Sequence, residues 1–324
     1  MLGYLLRRIL GLIPLLIGIS LVCFIVINLA PGEPVVIEGE MGQQSTAELR
    51  DQFREAYGLD RPLHEQYLSW LGRMVVLDFG RSMTADRQPV LEKIGERLPV
   101  TILLNVVTLI VILLVSVPLG VGSATQHGKF FDKATTVGVF IGFATPHFWL
   151  ALLLMLFFGV WLGWLPVSGL TSLHFDELGP VEKVIDVARH LVLPVISLTF
   201  GAFAYNSRII RGSMLEVIRQ DYITTARAKG LGEGKVIYKH ALRNGLLPMV
   251  TILGLWVPTL IGGSVIIETI FAIPGMGRLF WESVMSRDYT TIMGILTISA
   301  FLTLLGNLLA DVMYTVVDPR IRHR

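Results

Sequence analysis

Residues 98–128 read LPVTILLNVVTLIVILLVSVPLGVGSATQHG and contain no Asp, Glu, Lys or Arg. A stretch of roughly 20 apolar residues is enough for a helix to cross the hydrocarbon core of a bilayer, so these residues predict a membrane-spanning helix. Charge-free runs recur along the chain, and the shortest needs its flanking residues to reach this length. These further runs are Ile9 to Gly32, Ala134 to Phe175, Leu191 to Ser207, Asn244 to Ile267 and Tyr289 to Ala310. The sequence therefore predicts an all-α integral membrane protein with six transmembrane helices.

The composition of the whole chain agrees with a lipid-embedded protein. Of 324 residues, 53% are hydrophobic and only 16% are charged, which is far from the usage of soluble domains. The formal net charge of +2 is too small to indicate a nucleic-acid partner. The single cysteine, Cys23, excludes a disulfide within the chain and any metal site built from several cysteines.

The distribution of charge between the predicted loops sets the orientation, because short cytoplasmic loops carry an excess of Lys and Arg. With a cytoplasmic N-terminus, the internal segments hold 15 basic and 5 acidic residues: 1–8, 129–133, 208–245 and 317–324. The external segments hold 12 basic and 18 acidic residues: 31–97, 176–189 and 271–288. We therefore expect both chain ends in the cytoplasm.

The run from Ala134 to Phe175 is long enough for two helices, but we interpret it as one span. Gly163, Pro166 and Gly169 interrupt its second half, and the Trp161 and Trp164 pair is typical of a membrane interface. A seventh span here would also place the basic segment 208–245 outside. Pro146 and Pro258 are candidate kinks in the third and fifth helices, and Gly262-Gly263 could loosen the fifth.

We divide the chain into residues 1–97, a first span with an external segment, and residues 98–324, a core of five spans. The first run resembles a secretory signal but is too long for one, so we expect an uncleaved span. In the external segment, apolar residues at helical spacing predict an amphipathic helix: Leu59, Leu63, Tyr67, Leu68 and Leu71. This helix either packs against the bundle or forms a docking surface for an external partner.

No enzymatic motif is present in the sequence. There is no Gly-x-x-x-x-Gly-Lys-[Ser/Thr] phosphate loop, so we do not expect this chain to hydrolyse ATP. Nor is there a His-Glu-x-x-His or a Gly-x-Ser-x-Gly motif. The seven histidines are not paired on one helix face, and we predict no metal site and no cofactor bound by this chain.

The cytoplasmic loop 208–245 carries the most specific signal, in residues 221–248, DYITTARAKGLGEGKVIYKHALRNGLLP. The pattern predicts a helix capped by Asp221, a glycine-rich reversal and a second, basic helix that leads to Pro248 in the first turns of the fifth span. Gly230, Gly232 and Gly234 are the glycines that would permit the reversal. These features predict a stiff knob that transmits force to a membrane helix.

At these residues the chain resembles the permease subunits of binding-protein-dependent ABC importers, of the dipeptide and oligopeptide permease B type. Thr224-Thr-Ala226-x-x-x-Gly230 is similar to the family's "EAA" loop, with Thr-Thr-Ala in place of Glu-Ala-Ala, and His240-Ala-Leu-Arg243-Asn244 and Leu247-Pro248 continue the match. The resemblance extends to both ends of the chain, through these further motifs: Ala30-Pro31-Gly32-Glu33-Pro34, Tyr57-Gly-Leu-Asp60, Asp78-Phe-Gly80, Pro274-Gly-Met-Gly277-Arg278 and Asp318-Pro319-Arg320.

The resemblance implies a type I ABC importer permease fold and a function in peptide import across the bacterial inner membrane. It implies that the loop contacts a separate ATPase, through Thr224, Thr225, Ala226, Gly230, Leu231 and Gly232. His240, Arg243, Asn244 and Pro248 would support the loop. The implied partners are a second homologous permease, two ATPase subunits that bind ATP and magnesium, and an external substrate-binding protein. Similar permeases handle nickel or glutathione, and these substrates stay open.

Ionisable residues within spans are candidates for function, because charge is unfavourable at bilayer depth. Glu268 and Asp311 lie near predicted span ends, where partial solvation or helix capping would explain them. Glu268, with Ser264 nearby in sequence, is alternatively part of an external gate. An ion-coupled secondary transporter would need such groups near the middle of a span, where our boundaries place none.

Overall fold

The computed structural model describes residues 2–29, 54–55, 57–256 and 259–317. The described helices, numbered here in chain order, have these bounds: α1 Leu2–Leu29, α2 Leu63–Val75, α3 Val90–Thr125, α4 Phe130–Ala144, α5 His147–Leu154, α6 Pro180–Ile218, α7 Asp221–Ala228, α8 Glu233–Lys235, α9 Leu242–Gly245, α10 Leu247–Trp256, α11 Thr259–Gly262, α12 Val265–Ile270, α13 Met276–Met285 and α14 Tyr289–Val317. π-helical segments extend α5 over Met155–Trp161 and join α8 to α9 over Val236–Ala241.

Six membrane spans can be formed from the described helices, as the sequence predicts. Four single helices are long and apolar enough to cross a bilayer: α1, α3, α6 and α14. Two bent pairs supply the others, α4 with α5 and α10 with α11 and α12, if each pair is one span. The prediction of an all-α membrane protein is confirmed, and the predicted count of six spans holds if each bent pair is one span.

The third apolar run consists of two helices that meet at a bend of 99°. The bend lies at Pro146, the residue directly before α5, and Thr145 is extended, as is usual for a residue that precedes proline. The predicted kink at Pro146 is therefore a complete break. Beyond Trp161 the chain is mainly irregular as far as α6, and Gly163 and Gly169 adopt positive φ there.

The fifth span bends by 47° between α10 and α11. The predicted kink residue Pro258 lies outside the described residues. Gly263, with φ +64°, separates α11 from α12, so the glycine pair does interrupt this span. The side chain of Asp311 and the motifs at 30–34 and 318–320 also lie outside the described part of the chain.

Contacts divide the chain into two compact units. The first contains residues 1–101, 261–265 and 274–309, and the second contains residues 102–260, 266–273 and 310–324. The boundary between residues 97 and 98 that we drew from the sequence stays a prediction.

In the first unit, α2 is the predicted amphipathic helix, but its buried face differs from the expected one. Trp70 is buried in a cluster with Ile27, and Tyr67 and Leu71 pack against this cluster. Leu63 and Leu68 are exposed and Leu59 precedes the helix, because the buried stripe follows Tyr67 and Trp70 along one side. The Tyr67 hydroxyl also lies 3.0 Å from the Ser20 hydroxyl of α1, which fixes α2 against the first span.

In the second unit, small residues allow the long helices to approach closely. A Cβ added at Gly120 of α3 would lie 2.7 Å from the Cβ of Ile210 in α6. On the other side of α6, a Cβ at Gly201 would lie 2.9 Å from Cε1 of His147, whose Nδ1 lies 2.9 Å from the carbonyl oxygen of Ser197. These contacts make α6 the central helix of the unit, and its C-terminal end leads directly into the loop singled out by the sequence.

Candidate coupling site

The candidate site is the segment 221–248, called here the knob. It begins with α7, whose N-cap is Gln220 rather than the predicted Asp221. Asp221 is instead the first helical residue, where its carboxylate lies favourably near the positive end of the helix dipole. The capping prediction is wrong by one position because the Gln220 backbone is extended and the helix begins immediately after it.

The reversal after α7 is a Schellman motif centred on Gly230. The amide of Leu231 donates to the Ala226 carbonyl oxygen (3.4 Å), and the amide of Gly230 donates to that of Arg227 (2.9 Å). Gly230 has φ +78°, a left-handed conformation that an added side chain disfavours. Gly232 has φ −62°, and the described positive-φ residues do not include Gly234. Only Gly230 of the three predicted glycines is therefore required by the turn.

An ion pair closes the turn on its exposed side. Nε of Arg227 lies 2.7 Å from Oε1 of Glu233, across the Gly230 reversal. The hydrogen bond from Arg227 lowers the pKa of the Glu233 carboxyl and raises that of the guanidinium. This pair holds the start of α8 against the end of α7.

The knob has two arms. The first arm is α7, and the second is helical throughout and consists of α8, the π-helical segment and α9. Val236 and Ala241 in the π-helical segment are fully buried. Asn244 in α9 donates from Nδ2 to the hydroxyl oxygen of Tyr222 in α7 (2.7 Å), so it joins the two arms of the knob. His240 and Arg243 were also predicted to support the loop; His240 is half-buried and Arg243 is exposed.

The knob encloses an apolar cluster that it shares with three membrane helices. Residues of the knob contribute five of its ten buried members, and α3, α6 and α10 contribute the other five. The buried members are Val121, Ala124, Ile210, Met214, Ile223, Ala226, Val236, Ile237, Ala241 and Met249. The knob is therefore an extension of the folded core and not a flexible connector.

This packing divides the predicted contact residues into two groups. Ala226 is 7% exposed and belongs to the apolar cluster, and Leu231 is half-buried against it. Thr224, Thr225, Gly230 and Gly232 are exposed. The spacing of Ile223 and Ala226 by three residues, one helix face, is the sequence signal that could have predicted this division.

The end of the knob is fitted closely to α6. A Cβ added at Gly245 would lie 2.3 Å from Sδ of Met214, so only glycine fits here without a shift of that side chain. Pro248 is the second residue of α10, which confirms its predicted position at the start of the fifth span.

Sequence reasoning missed a polar cluster in the same unit. Arg211 of α6 binds Asp132 of α4 through Nε to Oδ1 (2.6 Å) and Nη2 to Oδ2 (2.8 Å). Ser123 and the amide of Gly128 also donate to this buried carboxylate. The ion pair joins residues 79 positions apart, and no local pattern connects them.

The candidate gate residues lie at the end of the fifth span. Glu268 in α12 is 0% exposed, so the expectation that partial solvation explains this carboxylate is wrong. Ser264 is half-buried and directly precedes α12. The burial of Glu268 keeps it a candidate for function.

Comparisons with known proteins agree with this architecture. The family model described as "Binding-protein-dependent transport system inner membrane component" matches residues 116–323, and the model for the N-terminal part of such components matches residues 1–105. The oligopeptide transport system permease protein AppB of Bacillus subtilis is 45% identical over 323 residues, with all of both chains covered. The dipeptide transport system permease protein DppB of Escherichia coli K12 is 39% identical over 342 residues, again with full coverage of both.

Among solved structures, an inward-facing conformation of the MetNI methionine ABC transporter matches with a TM-score of 0.55 and 18% identity. It covers 73% of this chain and 100% of the matched chain. This likeness confirms the predicted type I ABC importer permease fold. With the family models and full-length relatives, it shows that the chain belongs to the inner membrane components of binding-protein-dependent transport systems.

Proposed function

We propose that this chain is one permease subunit of an ATP-driven importer of short peptides in a bacterial inner membrane. The names of the full-length relatives, which are oligopeptide and dipeptide permeases, support peptides as the substrate class. The chain itself takes no part in ATP hydrolysis. ATP and magnesium bind to partner ATPase subunits, and an external binding protein delivers the peptide to this subunit and a second homologous permease.

The observation that carries this proposal is the construction of the knob. Its outer surface presents exposed groups, including Thr224, Thr225 and the Gly230 turn, while its inner surface belongs to the protein core. A close-packed apolar cluster has low compressibility and transmits strain, so a displacement of the knob can reach the helices that it packs against. We assign the exposed face, with Gly232 and the edge of Leu231, to the ATPase contact.

Ala226 contributes to this contact indirectly. Its small side chain allows α7 to lie close to the π-helical segment, so it sets the position of the exposed threonines. The supporting residues act in the same way, since Asn244 joins the two arms and Pro248 fixes the start of α10. His240 and Arg243 complete the second arm.

Movement of the knob would reach the membrane through the apolar cluster. Val121, Met214 and Met249 belong to three different helices that lead into the bilayer, so a displaced knob displaces all three ends together. ATP binding to the partner subunits would favour one arrangement of these helices and the loaded binding protein the other, which is the requirement for alternating access. The buried Glu268, with Ser264, is our candidate for the external gate that responds.

A cross-linking experiment tests the ATPase contact. In a Cys23→Ser background, Thr225→Cys and Ala226→Cys place one thiol each at neighbouring positions of opposite exposure. After labelling with benzophenone maleimide and illumination, we expect the Thr225 position to cross-link to the ATPase and the Ala226 position not to. Equal cross-linking at both positions, or none at either, would contradict the assignment of this face.

A transport assay tests the function as a whole. The chain is reconstituted in vesicles with its partner permease, ATPases and binding protein, and uptake of trialanine is measured. We expect uptake only with ATP and binding protein present. Uptake driven by a proton gradient without ATP would overturn the proposal in favour of a secondary transporter.

A further inference from the structure

An open cavity of about 590 Å³ lies in the first compact unit, on the side predicted to be external. Its lining includes the side chains of Arg73, Arg81 and Arg87, with Asp78 as the acidic residue. Among the described lining residues, three positive charges face one negative charge, which favours the binding of anions. Its volume is in the range of pockets that hold small ligands.

No ion pair within the described residues neutralises the three guanidinium groups. Among the described residues, the ion pairs do not include Arg73, Arg81 or Arg87. Nη1 of Arg81 donates to the carbonyl oxygen of Arg87 (3.0 Å), a contact that orients the group without cancelling its charge. Asp78 uses Oδ1 to accept the amide hydrogen of Gly80 (2.9 Å). Contacts within the described part of the chain therefore leave most of the guanidinium donors available to a ligand.

Two of the arginines are carried by a tight hairpin over residues 80–90. Arg81 pairs with Pro89 in an antiparallel bridge, and the amide of Arg87 donates to the carbonyl oxygen of Thr84 (3.0 Å). Arg87 has φ +46°, a left-handed conformation that non-glycine residues rarely adopt outside sites where the surrounding structure holds them. The backbone of the hairpin thus sets the direction of the Cα–Cβ bond of Arg87.

Buried polar contacts hold the hairpin in place. Asp288, which is 1% exposed, accepts the hydroxyl hydrogen of Ser82 (2.5 Å) and the amide hydrogen of Met83 (3.0 Å). Lys93 in α3 forms an ion pair with Asp86 (2.8 Å) on the other side of the turn. The hairpin is therefore rigid before any ligand arrives, which reduces the entropy lost on binding.

The third arginine reaches the same cavity from α2. A Cβ added at Gly80 would lie 3.7 Å from Nη1 of Arg73, so this guanidinium lies beside the first residue of the hairpin. Arginine groups from a helix and a hairpin thus face one space. Planar guanidinium groups match carboxylates with two parallel hydrogen bonds, a geometry that a point charge such as lysine does not provide.

We propose that this cavity is a carboxylate-binding site and that its ligand is the C-terminal carboxylate of the peptide being imported. The proposal rests on the proposed function, which supplies peptides as substrate. A short peptide always carries this group, whatever its side chains, so a site for it would accept many sequences. The site would hold the peptide by one end on the external side before it enters the membrane pathway.

The test compares trialanine with trialanine amide, which lacks the terminal charge. Initial ATP-dependent uptake is measured in vesicles containing the full transporter, at peptide concentrations that saturate the binding protein. The variants are Arg81→Gln and Arg87→Gln, and the matched control is Arg61→Gln, an exposed arginine of the same segment that does not line this cavity. We expect the ratio of free-acid to amide uptake to fall about tenfold in each cavity variant and to stay at the wild-type value in the control.

The outcomes separate this proposal from the proposed function. No ATP-dependent uptake by the wild-type transporter would contradict the function itself. Normal wild-type uptake with an unchanged ratio in both cavity variants would overturn the carboxylate site alone. Equal slowing of both peptides would also overturn it, and would assign the arginines to an acidic surface of the binding protein.

Discussion

Gly230→Ala and Gly232→Ala should have opposite effects on the knob, although the two residues are two positions apart. An added Cβ meets no atom within 4 Å at either glycine, so neither variant introduces a clash. The difference lies in the backbone, since Gly230 has φ +78° and Gly232 has φ −62°. A left-handed conformation costs a residue with a Cβ about 1–2 kcal/mol.

Both variants also gain stability from the unfolded state, because alanine has fewer backbone conformations to lose than glycine. This gain is about 0.4–1 kcal/mol and applies to both positions, so it cancels when the two variants are compared. We therefore expect the Gly230 variant to favour opening of the turn by about 1–2 kcal/mol relative to the Gly232 variant. In an equilibrium constant this is a factor of roughly 5 to 30.

Hydrogen exchange of the Leu231 amide measures this opening, because that amide donates to Ala226 across the turn. We expect it to exchange about 5- to 30-fold faster in Gly230→Ala than in Gly232→Ala. In the assembled transporter, Gly230→Ala should also lower peptide uptake per ATP hydrolysed, and should lower it more than Gly232→Ala does. Equal exchange in the two variants, or wild-type coupling in Gly230→Ala, would refute the reasoning.

Three further variants test other contacts. Arg227→Gln should return the lowered pKa of Glu233 toward its ordinary value. In the wild type the ion pair stabilises the knob at neutral pH and loses this effect as pH falls through the lowered pKa, so the variant should lack this pH-dependent stabilisation. An unchanged NMR titration of the Glu233 carboxyl would contradict this. Asp288→Asn should destabilise the protein by about 2–4 kcal/mol, because an amide cannot accept hydrogen bonds from all the donors that surround the carboxylate. An unchanged thermal unfolding midpoint in detergent would show that these hydrogen bonds are dispensable. Gly245→Ala should lower the free energy of unfolding by about 1–3 kcal/mol because the new Cβ overlaps Met214. In a Met214→Ala background the same substitution should cost less, because the overlapping side chain is gone. Strictly additive changes in unfolding free energy in the double variant would exclude this coupling between the two positions.

The spans and the glycine turn could be predicted from the sequence because the features that determine them are local. A bilayer requires a long apolar run, and the sequence contains six. Pro146 disfavours helical backbone at the residue before it, and Gly230 takes the one conformation in the knob that strongly favours glycine. Asp221, Gly232 and Gly234 were predicted to have special roles because their residue types permit them, but the chain adopts ordinary geometry at these positions.

The buried side of the site could not be predicted in this way. Whether Ala226 faces a partner or the core depends on helices that are distant in the sequence, and the same is true of Glu268. The pairing of Asp132 with Arg211 has no periodicity at all. The arginine cavity likewise depends on a hairpin whose position is set by Asp288, about two hundred residues later in the chain.

The apolar cluster beneath the knob also has a consequence for biosynthesis. Ile223 and Ile237 leave the ribosome before Met249, so the apolar cluster stays incomplete and partly exposed until the following span has been inserted. Transiently exposed apolar surface is what chaperones and quality-control proteases recognise. A chain that stalls before Met249 should therefore be degraded, whereas in one that stalls after it the apolar cluster of the knob is complete. Assembly with the ATPase would then be restricted to subunits whose translation has passed Met249.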